Sequence, residues 1–176
     1  MTVNIDYGFD KIQEIMKACI ETEMTAGGLL EDVETFVPIY YEEQHVEEPV
    51  IWMSQHPANA TRQPDITQTM DINIPFEFDC AIYERELEDG VKASQDLATR
   101  VVLSIVKNFL TAQNTITNGR RIIKTIGLET YYPVGYVDVN GKSERLPVTG
   151  VILNVTLTIN WVLCCRELQN QTNNGD

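Results

Sequence analysis

The sequence predicts an α+β fold, with a largely antiparallel sheet, two main helices packed on one face and a projecting hairpin. Every even position from 70 to 82 is apolar while most odd positions are polar, which is the period of a half-buried strand. After an acidic break at 84–90, apolar residues recur at spacings of three and four, which indicates an amphipathic helix. The predicted inward stripe of this helix is Val91, Leu97, Ala98, Val101, Val102, Ile105, Phe109 and Leu110.

The amino-terminal third predicts one helix and two short strands. The helix covers 9–24, because its apolar residues share one side and Asp6 stands where an N-cap is expected. The strands cover 34–41 and 46–53, and the prolines inside them predict edge strands or bulges. Residues 54–68 show no periodicity and predict a loop, which at that length is expected to be functional or to order against a partner.

The carboxy-terminal half predicts strands and a hairpin. A strand at 122–132 places Ile122, Ile126, Leu128 and Tyr132 on one face, and Pro133 and Gly135 are expected to break or kink it. Segments 134–139 and 142–146 flank an Asn-Gly pair, a strong signal for a tight hairpin, and their polar side chains indicate a projecting arm. Residues 151–163 alternate again and predict the last strand. We expect a single α+β domain over 1–166 and a polar tail over 167–176.

The charge balance argues against nucleic-acid binding. The chain has 26 acidic and 13 basic residues, a formal net charge of −13, and proteins hold DNA by neutralising its phosphates with basic side chains. The alternative interpretation is that the acidic surface only keeps the protein in solution. The first ten residues lack the pattern of a secretion signal, and no segment reaches the length of a membrane span, so we expect synthesis in the cytoplasm.

The four cysteines do not have the spacing of a zinc site. Cys19 and Cys80 fall on apolar faces of predicted elements and are expected in the core. Cys164 and Cys165 are neighbours on a predicted strand, so their side chains point to opposite faces. At least one of them could be exposed and could cross-link subunits in an oxidising setting.

An enzyme is the rival interpretation, but the sequence supplies no catalytic motif. The best cluster is His45 among Glu42, Glu43, Glu47 and Glu48, with His56 further along, and it lacks the spacing of metal ligands. A small acidic enzyme, a metal-binding domain and a non-viral scaffolding domain remain as alternatives. The prediction is no catalytic residue, no cofactor and no metal.

The pattern of the chain resembles the tail terminator and tail completion proteins of tailed bacteriophages. The resemblance covers about residues 9–165 and lies in the long alternating strand followed by an amphipathic helix, the hairpin-rich second half and the final alternating strand. It implies a homo-oligomer, a hexameric ring that caps the tail tube, stops its polymerisation and offers a docking surface to the head. The implied partners are the tail tube protein, head–tail connector proteins and, in a contractile tail, the sheath protein. The implied location is the neck of the virion, where another connector position is an alternative.

Two groups of residues are candidates for such a role. A ring around DNA should have an acidic or neutral lumen, because DNA must pass through it without being held. The polar face of the central strand, with Asp71, Glu77 and Asp79, or the acidic turn with Glu84, Glu86 and Glu88, could supply that lumen; the alternative is a solvated sheet face. The candidate subunit contacts are Tyr131, Tyr132, Tyr136, Asn140, Gly141 and Arg145.

Overall fold

The structure, a computed structural model, describes residues 9–38, 48–62, 69–82, 86–119, 122–138 and 145–160. These residues form helices α1 (Phe9–Glu23) and α2 (Leu87–Ile116) and strands β1 (Thr35–Val37), β2 (Val50–Gln55), β3 (Asn59–Arg62), β4 (Thr69–Ala81), β5 (Ile123–Asp138) and β6 (Arg145–Asn160). Both helices pack on one sheet, so the predicted α+β fold is confirmed.

The sheet has the strand order β1-β2-β4-β6-β5, and β3 pairs with β4 beside β2. The pairing of β1 with β2 is parallel, and the other pairings are antiparallel. Strands β4 and β6 form the centre, paired from Thr69↔Asn160 to Ala81↔Val148. Strand β5 lies at one end of this order, so its outer edge has no neighbouring strand among the described residues.

The alternating pattern of β4 forms the core as predicted. Its even residues from Ile72 to Cys80 are buried beneath the helices, together with odd residues of β6 and the inward stripes of α1 and α2. Pro75 is tolerated within β4 because the neighbouring strand is interrupted there: β2 pairs with β4 up to Phe76, and β3 takes over at Asn73. The carbonyl of Pro75 accepts a hydrogen bond from His56 N (2.9 Å) on that side, so its missing N–H also faces the interruption.

The predicted loop at 54–68 is wrong in its first part. Strand β2 continues to Gln55, and 59–62 form β3. The side-chain pattern did not predict β3, because this strand is defined by its backbone pairing with β4. Pro38 and Pro49 lie just outside the shortened strands β1 and β2, so they limit these strands and do not interrupt them.

The prediction at Pro133 and Gly135 was a break or a kink of the strand, and the break does not occur. Strand β5 runs on to Asp138, and three register shifts against β6, one of them between Tyr132 and Gly135, absorb the irregular residues. The hairpin is therefore the far end of the long β5–β6 pair. It continues to Asp138↔Arg145, past the last β4 pairing at Val148, and the Asn140–Gly141 turn lies outside the described residues.

A buried carboxylate joins the two helices. Glu23, the last residue of α1, accepts hydrogen bonds from Asn108 Nδ2 (2.7 Å) and Leu29 N (2.9 Å), and Lys107 Nζ lies 2.8 Å from its Oε1. Its side chain is 3% exposed. These hydrogen bonds, that of Lys107 foremost, lower the pKa of Glu23 to about 2. The end of α1, the turn that follows it and an interior part of α2 thus meet at one charge.

Replacing Gly28 by alanine is expected to destabilise this turn by about 1 to 3 kcal/mol. A Cβ there would lie 2.2 Å from the carbonyl oxygen of Glu23, a backbone atom that also accepts the hydrogen bond of Leu30 N (2.9 Å). Urea unfolding measures the loss. Gly127→Ala is the control, because a Cβ at Gly127 meets nothing within 4 Å; equal stabilities for the two variants would contradict the steric argument.

Candidate assembly surfaces

The helix-free face of the sheet is a polar wall over most of β4. Asp71, Asn73, Glu77 and Asp79 are half-buried there, as the alternation predicts. Lys124 Nζ lies 2.9 Å from Asp71 Oδ2, His56 Nε2 lies 2.5 Å from Glu77 Oε2, and Thr156 Oγ1 donates to Asn73 Oδ1 (2.8 Å). Asp71 is therefore paired with a cation within the sheet, which makes this wall less acidic than its sequence indicates.

One end of the helix-free face is apolar, which the prediction of a polar outer face did not include. The register places Trp52 opposite Asp79 and Val50 opposite Ala81, so these side chains share the face of the polar wall. They form a second buried cluster, which comprises Val37, Val50, Trp52, Ala81 and Val148. The polar wall thus ends at this corner of the sheet.

The acidic turn belongs to a different surface. Residues 86–89, here called the acidic knob, are Glu86, Leu87, Glu88 and Asp89, and all four are exposed. The knob lies at the start of α2, four residues earlier than the predicted helix start, where acidic side chains complement the helix dipole. Glu88 pairs with Lys92 one turn along the helix, with 2.8 Å between Oε1 and Nζ. Glu84 lies outside the described residues. The two alternative lumen surfaces therefore lie on different elements, the polar wall on β4 and the knob at the start of α2.

Five large apolar side chains are exposed on the helix-bearing side of the sheet, and we call them the apolar shelf. They are Leu103 (50% exposed), Val106 (61%), Leu110 (51%), Leu128 (59%) and Tyr131 (43%). Leu110 was predicted to face the core, and that prediction is wrong. Leu128 was predicted to share a face with Ile126, and Ile126 is partly buried while Leu128 is not.

The β5 part of the shelf is uncovered because the helix layer is narrower than the sheet, and the α2 part is uncovered because it lies on the side of the helix away from the core. Helix α2 packs mainly on β6 and β4, and β5 extends beyond it. The register of Leu128 with Leu153 and of Tyr131 with Val151 nevertheless turns these β5 side chains toward the helix side. A signal for the shelf was present in the sequence: Leu103, Val106 and Leu110 lie outside the buried stripe of Leu97, Val101 and Ile105, which makes the apolar part of α2 wider than one core-facing stripe.

Four of the five shelf residues fall in a segment without acidic residues, and the fifth, Tyr131, follows Glu129. Residues 97–128 hold five of the 13 basic residues of the chain and none of its 26 acidic residues. Arg100 is paired with Asp32 and Asp96, and its bond to Asp32 holds the pKa of that carboxyl below its usual range. The side chain of Lys107 is 60% exposed, while that of its partner Glu23 is buried. A cation therefore faces solvent beside the shelf.

The other predicted site residues are only partly described. Tyr131 is exposed, as an interface residue should be. Tyr132, Tyr136 and Arg145 lie in the β5–β6 pair, whose register alone is described at these positions. Asn140, Gly141, Cys164, Cys165 and His45 lie outside the described residues.

The cysteines and the remaining histidine do not form a metal cluster in the described part of the chain. Cys19 and Cys80 are buried, as predicted for core cysteines. Burial raises the pKa of both thiols, that of Cys19 to about 12. His56 contacts Glu77 on the polar wall.

The comparisons with known proteins do not identify a family. No protein-family model matches the chain, and no curated protein matches it significantly. Within the described residues, neither helix combines the length and the hydropathy that a membrane crossing requires.

Proposed function

We propose that the chain is a structural virion protein that forms a ring at the head-proximal end of a bacteriophage tail, terminates polymerisation of the tail tube and joins the tail to the head. The observation that carries the proposal is the separation of two surfaces on one sheet. The helix-free face holds polar side chains bonded within the sheet, and the exposed apolar side chains of the shelf lie on the helix-bearing side. A ring subunit needs this division between a wall that releases DNA and a surface that binds protein.

The polar wall suits a lumen better than the acidic knob does. The charge of Asp71 is balanced by Lys124, and contacts with Lys124 and His56 fix the positions of Asp71 and Glu77. Such a wall neither attracts DNA phosphates nor repels them strongly. In this proposal DNA passes along Asp71, Glu77 and Asp79 without specific binding, and the knob takes another role.

The partners that follow are other virion proteins. Copies of the chain would contact one another, six in the ring proposed from the resemblance, and one rim of the ring would meet the last layer of tail tube protein. The opposite rim would meet the head–tail connector, and in a contractile tail the sheath protein would bind as well. The role is one of assembly, without catalysis or a cofactor.

The test uses tail tube protein from the same phage. Purified chain is added during tube polymerisation, and tube length and tube ends are recorded by negative-stain electron microscopy. We expect sixfold rings at one end of each tube and an arrest of elongation that depends on the amount added. An unrelated acidic protein of similar size is the control. Tubes that elongate equally in both samples would contradict the proposed function.

A further inference from the structure

We infer that the apolar shelf binds the acidic knob of a second copy of this chain, so that copies associate head to tail. This inference deepens the proposed function, because it names the contact between subunits. The shelf supplies exposed apolar area beside Lys107, and the knob supplies one exposed leucine, Leu87 (56% exposed), among Glu86, Glu88 and Asp89.

The two parts of the shelf, on α2 and on β5, lie at the same level of the fold. Ser94 of α2 contacts Thr149 of β6, with 2.9 Å between the hydroxyl oxygens. Further along α2, Gln113 Oε1 accepts a hydrogen bond from Ile123 N (2.7 Å), and Ile123 pairs with Leu157. The midpoint of α2 between these contacts falls at about residue 103, from the constant rise of a helix.

The corresponding midpoint of β6, between Thr149 and Leu157, is Leu153, which pairs with Leu128. Leu128 therefore lies level with Leu103. The partly buried side chains of Val102, Phe109 and Ile126 pack against the core. Together the five shelf residues include all the exposed large apolar side chains of the described residues apart from Leu87.

Charge complementarity indicates which surface binds the shelf. The chain has a formal net charge of −13, so two copies repel each other where their carboxylates meet. Four of the five shelf residues lie in the acid-free segment 97–128, where Lys107 faces solvent, while Glu129 precedes the fifth, Tyr131. An acidic surface with an apolar centre fits this region, and the knob has that composition.

The contact must join two molecules. Leu87 and Leu103 are on one helix, about 24 Å apart along its axis at 1.5 Å per residue, so the knob cannot reach the shelf of its own chain. Because knob and shelf are different surfaces, after a single contact one copy keeps a free knob and the other keeps a free shelf. Repeated contacts of this kind close into a ring or extend into a filament.

The test uses two variants that each remove one half of the contact. The shelf variant is Val106→Glu, which places a carboxylate in the middle of the shelf, and the knob variant combines Glu86→Gln with Leu87→Gln. Both sites are exposed, so the fold should persist, and circular dichroism checks it. Gln13→Glu on α1 is the control, since it adds the same charge as Val106→Glu away from the shelf.

Sedimentation equilibrium over a concentration series measures self-association without tail tubes. We expect the wild type and Gln13→Glu to associate alike, and each interface variant alone to associate at least ~10-fold more weakly. An equimolar mixture of the two interface variants should form a one-to-one dimer that does not grow, because one copy retains the shelf and the other retains the knob.

Three results would overturn the inference: a wild type that stays monomeric, an interface variant that associates as the wild type does, or a mixture that stays monomeric. Tubes that elongate freely beside an associating wild type would instead contradict the proposed function alone. The two proposals can therefore fail separately.

Discussion

Phe78→Ala is expected to lower the free energy of unfolding by about 3 to 5 kcal/mol. Phe78 is fully buried near the middle of the sheet, opposite Met53 of β2 and Val151 of β6, which are buried as well. Alanine would leave a cavity between the sheet and both helices, and neighbours fixed in three strands have little freedom to close it.

Urea unfolding followed by circular dichroism measures this loss. Phe36→Ala is the control, because Phe36 is only partly buried, on the three-residue strand β1, and should cost about 1 to 2 kcal/mol. Equal losses for the two variants would contradict the assignment of Phe78 to the centre of the core.

Most of the fold could be predicted from patterns of burial. The alternation in β4 and the helical spacing in α2 result from contact with one core, and both elements were predicted at nearly their observed positions. Strand β3 was missed because a strand defined by backbone pairing leaves no periodic trace in its side chains. The continuity of β5 was missed for a related reason. Bulges allow the backbone pairing of two strands to continue past residues at which a strand normally ends.

The candidate surfaces were less predictable because they depend on what a helix leaves uncovered. An apolar residue such as Leu110 is compatible with either side of α2, and only the position of α2 over β4 and β6 exposes it. The polar wall was predicted from the odd residues of β4, but its charge was not. Asp71 and Lys124 are far apart in the sequence, so no local sequence pattern predicts their pairing.

Glu23→Ala is expected to destabilise the protein by about 2 to 4 kcal/mol. The variant removes the acceptor of the bonds from Asn108 and from the backbone N–H of Leu29, and Lys107 loses its counter-ion. Glu21→Ala is the control: Glu21 is exposed, its Oε1 lies 3.5 Å from Lys17 Nζ, and its loss should change stability by no more than about 0.5 kcal/mol. Similar losses of stability in the two variants would contradict the inference that Glu23 stabilises the contact between α1 and α2.

The Glu23 contribution should also depend on pH. Its pKa is lowered from the ordinary 4.5 to about 2 in the folded protein, so the folded state favours the ionised carboxylate. That stabilisation is present in full above pH 4.5 and is lost as the pH falls toward 2, because the unfolded chain binds the proton first. The stability difference between the wild type and Glu23→Gln, measured by urea unfolding across this range, should therefore shrink with acidification. A difference that stays constant would show that Glu23 acts through packing and not through its charge.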